Sequence, residues 1–195
     1  LLAAVVAIAL YTRALALGLR HSRCVLRRPA LIIAFWAVVA TADVGELVAF
    51  YRGLPLYPDP PLHQLRAAEG LRSNMKAVFE AVSHRNPYPS EQLAEAAWNQ
   101  LVLKSIFIGS SLQAVVGLDW RANPELARML CDYAHERWAA GRPVSPELWR
   151  CVGPYASGTM LTDLGRVLET GTDPEKVAAA LALAACGKSD SANEA

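Results

Sequence analysis

In the C-terminal third of the chain the same punctuation recurs three times. Asn123-Pro-Glu-Leu, Ser145-Pro-Glu-Leu and Asp173-Pro-Glu-Lys each set a side chain that can cap a helix before a proline, with glutamate in the following turn. A capping side chain satisfies orphan amides, proline suits the first helical position, and an acid there meets the positive end of the helix dipole. Gly141, Gly171 and Gly187 supply the stops, and a further helix fits Met160 to Leu168. No alternating apolar run bounded by a tight-turn dipeptide accompanies these signals. An all-α fold of about eight helices is therefore predicted. The short helices and connections point to a HEAT-like, solenoid-type stack of antiparallel helix pairs, although starts 22 and 28 residues apart are too irregular for a true repeat array.

Upstream, the 195 residues continue in the same style. Asp43 and Glu46 have capping-box spacing and open a helix through Tyr51, stopped by Gly53. Four prolines between Pro55 and Pro61 make a loop. A single helix is predicted from about Leu62 to His84, with Leu65, Ala68, Leu71, Met75, Val78, Phe79 and Val82 along one face. Ser90 is placed as the cap of a helix from Glu91 to about Ile108, apolar on nearly every side and so central and buried. Gly109 and Gly117 bracket a short helical turn.

Charge divides the chain unevenly. Five arginines and no acid precede Asp43, leaving 14 basic against 18 acidic side chains from there onward. A net charge of +1 gives little electrostatic purchase on nucleic acid, so no nucleic-acid partner is expected. With 53% hydrophobic residues the chain has material for a core. The first residue is not Met, so the true start is expected to be missing or processed. Leu1–Leu19 and Ala30–Ala42 are read as two buried helices. Their arginines make weak association with an anionic inner-membrane surface the alternative. The expected organisation is a basic apolar segment over residues 1–40, a helical domain over 41–187 and a disordered tail over 188–195. Cys24, Cys131, Cys151 and Cys186 show neither zinc nor redox spacing and are read as reduced thiols of a cytoplasmic protein.

Candidate chemistry is sparse. Arg128, Asp132, His135 and Glu136 share one face of the helix after Pro124. They are read either as a pocket wall with His135 as acid or base, or as a solvated face with an Arg128–Asp132 pair. Asn99 and Lys104 lie in the helix predicted to be buried, where a polar group needs a partner or a cavity, unless the lysine head snorkels out. Trp98, Trp120, Trp138 and Trp149 either line an apolar cavity or simply pack. Glu80 with His84 and Asp132 with His135 fall short of a di-metal pattern. No metal or cofactor is expected, and no nucleotide or hydrolase motif occurs.

Several long strings carry a family resemblance. They are Thr41-Ala-Asp-Val-Gly-Glu-Leu-Val-Ala-Phe-Tyr-Arg, Arg66-Ala-Ala-Glu-Gly-Leu-Arg-Ser-Asn-Met-Lys-Ala-Val-Phe-Glu-Ala, Arg85-Asn-Pro-Tyr-Pro and Ala97-Trp-Asn-Gln-Leu-Val-Leu-Lys. Gly117-Leu-Asp-Trp-Arg-Ala-Asn-Pro-Glu-Leu-Ala-Arg-Met-Leu follows, and the densest run extends from Asp132 through Arg150. Over about Ala40 to Leu183 the chain resembles the EboA family. The resemblance implies a bacterial metabolite-traffic protein of a secondary-metabolite gene cluster. The cluster also encodes proteins resembling a UbiA-type prenyltransferase, a TatD-type hydrolase, a sugar-phosphate cyclase and a TIM-barrel isomerase. It brings no catalytic residue with it. The leading expectation is a non-catalytic binding or adaptor protein for a prenylated or anionic intermediate, with cluster proteins as further partners. An acid/base or metal-assisted enzyme using His135, and a membrane-docked scaffold, are the alternatives. The ligand residues are expected among Asn99, Lys104, Arg128, Asp132, His135, Glu136 and Trp138.

Overall fold

The computed structural model describes Val39 and residues 41–186. The apolar stretches before Val39 and the tail from Lys188 lie outside these residues, so the expectations attached to them do too. The described residues are helical, without a β-strand. They run α1 (Val44–Arg52), α2 (Gln64–Arg72), α3 (Lys76–Ser83), α4 (Tyr88–Gln92), α5 (Glu95–Phe107), α6 (Pro124–Ala139), α7 (Trp149–Val152), α8 (Thr159–Thr170) and α9 (Asp173–Ala185), with 3-10 turns between them. None of these helices is long and apolar enough to cross a membrane. The chain divides into two compact units after Leu93.

In the first unit α1 begins at the expected capping box. Asp43 Oδ1 accepts from Glu46 N at 2.8 Å, and Glu46 Oε2 accepts from Asp43 N at 3.3 Å. The single helix predicted from Leu62 to His84 is instead a 3-10 turn (Pro60–His63) and two helices. The break follows α2, where Ser73 is extended and its hydroxyl accepts from Met75 N at 3.1 Å. Serine side chains compete with helical hydrogen bonds in this way. The predicted apolar face shifts accordingly, leaving Leu65 and Met75 exposed while Ala67, Gly70 and Leu71 turn inward. Gly70 permits the close seat of α2, because a Cβ there would lie 2.7 Å from Val82 and 2.8 Å from the Tyr51 ring.

The core of this unit is formed by Phe50, Tyr51, Leu54, Val78, Phe79, Val82 and Tyr88. Its loops are pinned by buried polar groups. The Asn86 amide donates to Tyr51 O and Ala81 O at 3.0 and 3.1 Å and accepts from Tyr88 N at 3.0 Å. His63 is fully buried edge-on to Tyr57, with its Nε2 3.0 Å from Pro58 O. A carbonyl only accepts, so Nε2 carries the proton.

The predicted Glu91–Ile108 helix is also divided, at the boundary between the units. Ser90 does not cap it. Its hydroxyl donates to Pro87 O at 2.7 Å within α4, and α5 starts after extended Ala94. Nor is α5 buried on every side: Trp98, Leu101, Val102 and Ile106 are inside, whereas Phe107 is largely exposed. The expected turn after Gly109 is present as Leu112–Ala114.

The three cap–Pro–Glu starts meet different outcomes. Asn123 caps α6, accepting from Leu126 N at 2.8 Å. Ser145 makes no side-chain cap and opens only a 3-10 turn leading into the four-residue α7. Pro154 cannot donate the next helical bond, so that helix stops early. At the third start the capping residue is Thr172 rather than Asp173. Glu175 Oε2 accepts from Thr172 N at 2.7 Å and from its hydroxyl at 2.6 Å.

The core of the second unit gathers Trp98, Leu126, Leu130, Leu148, Trp149, Leu164 and Ala179. Helix α9 packs on α8, on α7 and on the Gly153–Tyr155 turn. A Cβ on Gly153 would lie 2.6 Å from Ala182 O and 2.7 Å from Ala182 Cα. Backbone cannot yield there as a flexible side chain would.

Two predictions follow from this packing. Gly153→Ala must move α9 and is expected to cost about 1–3 kcal/mol in a denaturant titration. Burial lowers the His63 pKa below the ordinary value of 6.5, outweighing the Pro58 carbonyl and the Asp59 charge, which raise it. The folded state then holds fewer protons than the unfolded chain, so stability is full above that value and falls as pH drops through it. Melting temperatures between pH 8 and 5 should decline in this sense, and His63→Gln should flatten the decline.

Candidate functional site

The residues singled out on α6 fall into two groups. Arg128 donates to both Glu125 oxygens at 2.9 and 2.7 Å and to Asp132 Oδ2 at 2.6 Å, all three side chains being exposed. These bonds raise the Arg128 pKa and lower that of Glu125. Glu136 is exposed on the same helix. This is the i,i+3 and i,i+4 charge pattern of a solvated face.

One turn further on, the chemistry changes. His135 Nε2 lies 2.9 Å from both oxygens of Asp163 on α8. The imidazole side chain is 50% exposed and the carboxylate only 13%. The His135 ring stands 5.7 Å from Trp138, and Trp138 stacks on buried Trp149 at 6.0 Å and 26°. The Arg166 guanidinium lies 4.4 Å from the Trp138 ring centroid. Cation–π contacts of this kind are worth about 0.5–2 kcal/mol and hold the arginine in place.

Trp138 and Arg166 also line a cavity of about 400 Å³, together with Arg142, Val144, Thr170 and Glu175. Sequence spacing builds each wall. Gly141, at φ 63°, turns the chain after α6, and Arg137 Nε donates to Pro143 O at 3.1 Å to hold the returning loop. Arg166 and Thr170 are four apart on α8, and Glu175 is committed to the Thr172 cap. Two arginines and an aromatic face therefore meet a carboxylate that is already engaged.

Cys131, one turn before His135, is buried. Burial, then the charges of Asp163 and Asp132, push its thiol up to about 12, and Cys151 is likewise pushed up to about 12 by burial. A thiol so raised stays protonated near neutral pH. Among the described residues no group of three or more His, Cys, Asp and Glu side chains is placed to hold a metal ion.

Asn99 and Lys104 do not line this cavity. Asn99 is buried and exchanges two hydrogen bonds with Asn123, its Nδ2 donating at 3.2 Å and its Oδ1 accepting at 2.9 Å. It thereby ties α5 to the capping residue of α6. Lys104 is half-buried, and desolvation lowers its pKa. Of the tryptophans, Trp98 and Trp149 are core, Trp120 is largely exposed, and Trp138 faces the cavity. Asp163, Arg142 and Arg166 were not among the residues expected from sequence. Asp163 and Arg166 lie on α8, and no local spacing connects them to the α6 candidates, whereas Arg142 follows Trp138 by four residues in the loop after α6.

The family model for EboA, described as a metabolite traffic protein, matches residues 29–153. The chain belongs to the EboA family. His135, Trp138 and Arg142 lie inside the segment matched to the EboA model, and Asp163 and Arg166 lie beyond it. No curated protein and no solved structure matches the chain.

The Asn99–Asn123 pair generates a quantitative expectation. Asn99→Ala removes two buried hydrogen bonds and should cost about 1–2 kcal/mol by chemical denaturation. Asn123→Ala should cost more, because the α6 cap is lost as well.

Proposed function

We propose that this chain is a non-catalytic carrier of an anionic biosynthetic intermediate, held in the cavity between the end of α6 and α8. One observation supports this reading above the others: the cavity combines the Trp138 face with the guanidinium groups of Arg142 and Arg166. Arginine is suited to carboxylate and phosphate groups, and Trp138 holds one of the two guanidinium groups in place. The volume falls in the range of small-molecule pockets. Family membership supports a metabolite as cargo. On this reading the cargo belongs to a bacterial secondary-metabolite cluster, and the proteins that make and consume it are the exchange partners. The short helices are read as a HEAT-like stack, supported by α8 and α9, which pack together across a connection of Gly171 and Thr172.

The His135–Asp163 contact favours a second reading. A carboxylate that holds an imidazole fixes its orientation, as acid/base chemistry requires. One experiment separates the two. The protein is purified from cells carrying the biosynthetic genes, and its bound small molecules are identified by native mass spectrometry. A carrier should retain one anionic species, with occupancy lowered at least tenfold in Arg142→Ser/Arg166→Met. His135→Gln should leave occupancy and product yield as they are. If His135→Gln instead traps a species of different mass and stops product formation, the enzyme reading replaces the carrier. Equal occupancy in the double-arginine variant would remove the cavity from the account.

A further inference from the structure

Helix α9 carries apolar side chains that its own unit leaves uncovered. Val177 and Leu181, four residues apart, are 60% and 67% exposed. They do not stand on a flat surface. With Ala178 and Pro174 of the same helix they line one side of a groove of about 540 Å³, whose other lining includes Pro146 and Pro154. The prolines come from three separate elements, and each has a fixed φ.

The charged groups at the edge of the groove are already engaged. Arg150 donates Nε and Nη2 to the two oxygens of Asp119 at 2.7 and 2.6 Å. That bond lowers the Asp119 pKa, and its reciprocal raises that of Arg150. Glu147 accepts from the Ser111 hydroxyl at 2.7 Å and from Leu112 N at 2.6 Å. The rest of the lining is proline, valine, leucine and alanine. An uncharged apolar occupant breaks none of the charged pairs and covers Val177 and Leu181.

We propose that the groove between α9 and the Pro146–Pro154 segment binds the uncharged hydrocarbon chain of a small molecule. Its aliphatic lining of Val177, Ala178, Leu181 and three prolines complements a chain without charge, and its volume is that of a small-molecule pocket. A stable protein partner would need about 1,000 Å² of complementary surface or more. The site is distinct from the Trp138 cavity, where unlike chemistry is assembled: two arginines, one of them stacked on the indole.

The test uses 1,6-diphenylhexatriene, an uncharged rod-shaped hydrocarbon that fluoresces only in apolar surroundings, titrated into the full chain. Saturable binding is expected, displaced by dodecan-1-ol but not by butan-1-ol at the same concentration. Val177→Gln/Leu181→Gln alters only exposed side chains and should keep the thermal melt while weakening binding at least tenfold. Ala178→Phe, which fills the groove, should do the same. Leu161→Gln, an exposed position on α8 outside the groove, should bind as the unaltered protein does. Binding that does not saturate, or that survives both groove variants, overturns the proposal. So does a concentration-dependent dimer, seen by sedimentation, that the double variant abolishes while the unaltered chain takes no probe, because the groove then belongs to a second copy.

Discussion

The close seat of α9 on the Gly153 turn is the constraint on which the second unit depends. With no side chain at Gly153, the Ala182 backbone comes within 2.6 Å of the position a Cβ would take. That approach sets α9 against α7 and brings Pro174, Val177 and Leu181 opposite Pro146 and Pro154. The other end of α9 delivers Glu175 to the Trp138 cavity. Both concave features thus share one helix, and a shift of that helix would reshape both. Cores are packed densely enough to transmit such a shift rather than absorb it.

The arginines of the second unit separate into different physical situations. Arg128 and Arg150 are held by carboxylates, so their charge is spent locally on surface geometry. Exposed pairs of this kind contribute little to stability, about 0–1 kcal/mol. Arg166 is held instead by an aromatic face, which orients a guanidinium without neutralising it. An arginine kept in place but still charged is what an anion site requires. His135 has a third arrangement, an imidazole gripped by a largely buried carboxylate from a neighbouring helix. The polarity of the site therefore arises between α6 and α8, and not along the face of α6 on which the sequence concentrates its charges.

Where sequence reading failed, local hydrogen bonding or proline chemistry overrode an apolar pattern that ran on. Periodicity carries straight through Ser73, but its hydroxyl takes an amide that a continuing helix would use. It carries through Leu93 and Ala94 as well, where the chain passes from one compact unit to the next. Asn99 shows a different limit. Its burial was legible, because a polar residue stood in an apolar helix, but its partner 24 residues away was not. The same holds for His135: the residue was conspicuous, and Asp163 was not.

By itself the sequence determined the helical class, the capping box at Asp43, the start of α6 at Asn123 and the family. Each rests on residues within a few positions of one another, where the chemistry of caps, prolines and glycines acts locally, or on long strings that can be matched as they stand. Only the tertiary structure decided which side chains form a site. The Trp138 cavity draws on α6, the loop after it, α8 and α9, and the apolar groove draws on segments from Asp119 to Ala185. Those distances in sequence are closed by packing, by the seat of α9 on Gly153 and by the stack of Trp138 on Trp149. A one-dimensional pattern records the residues that make these contacts, but not which of them meet.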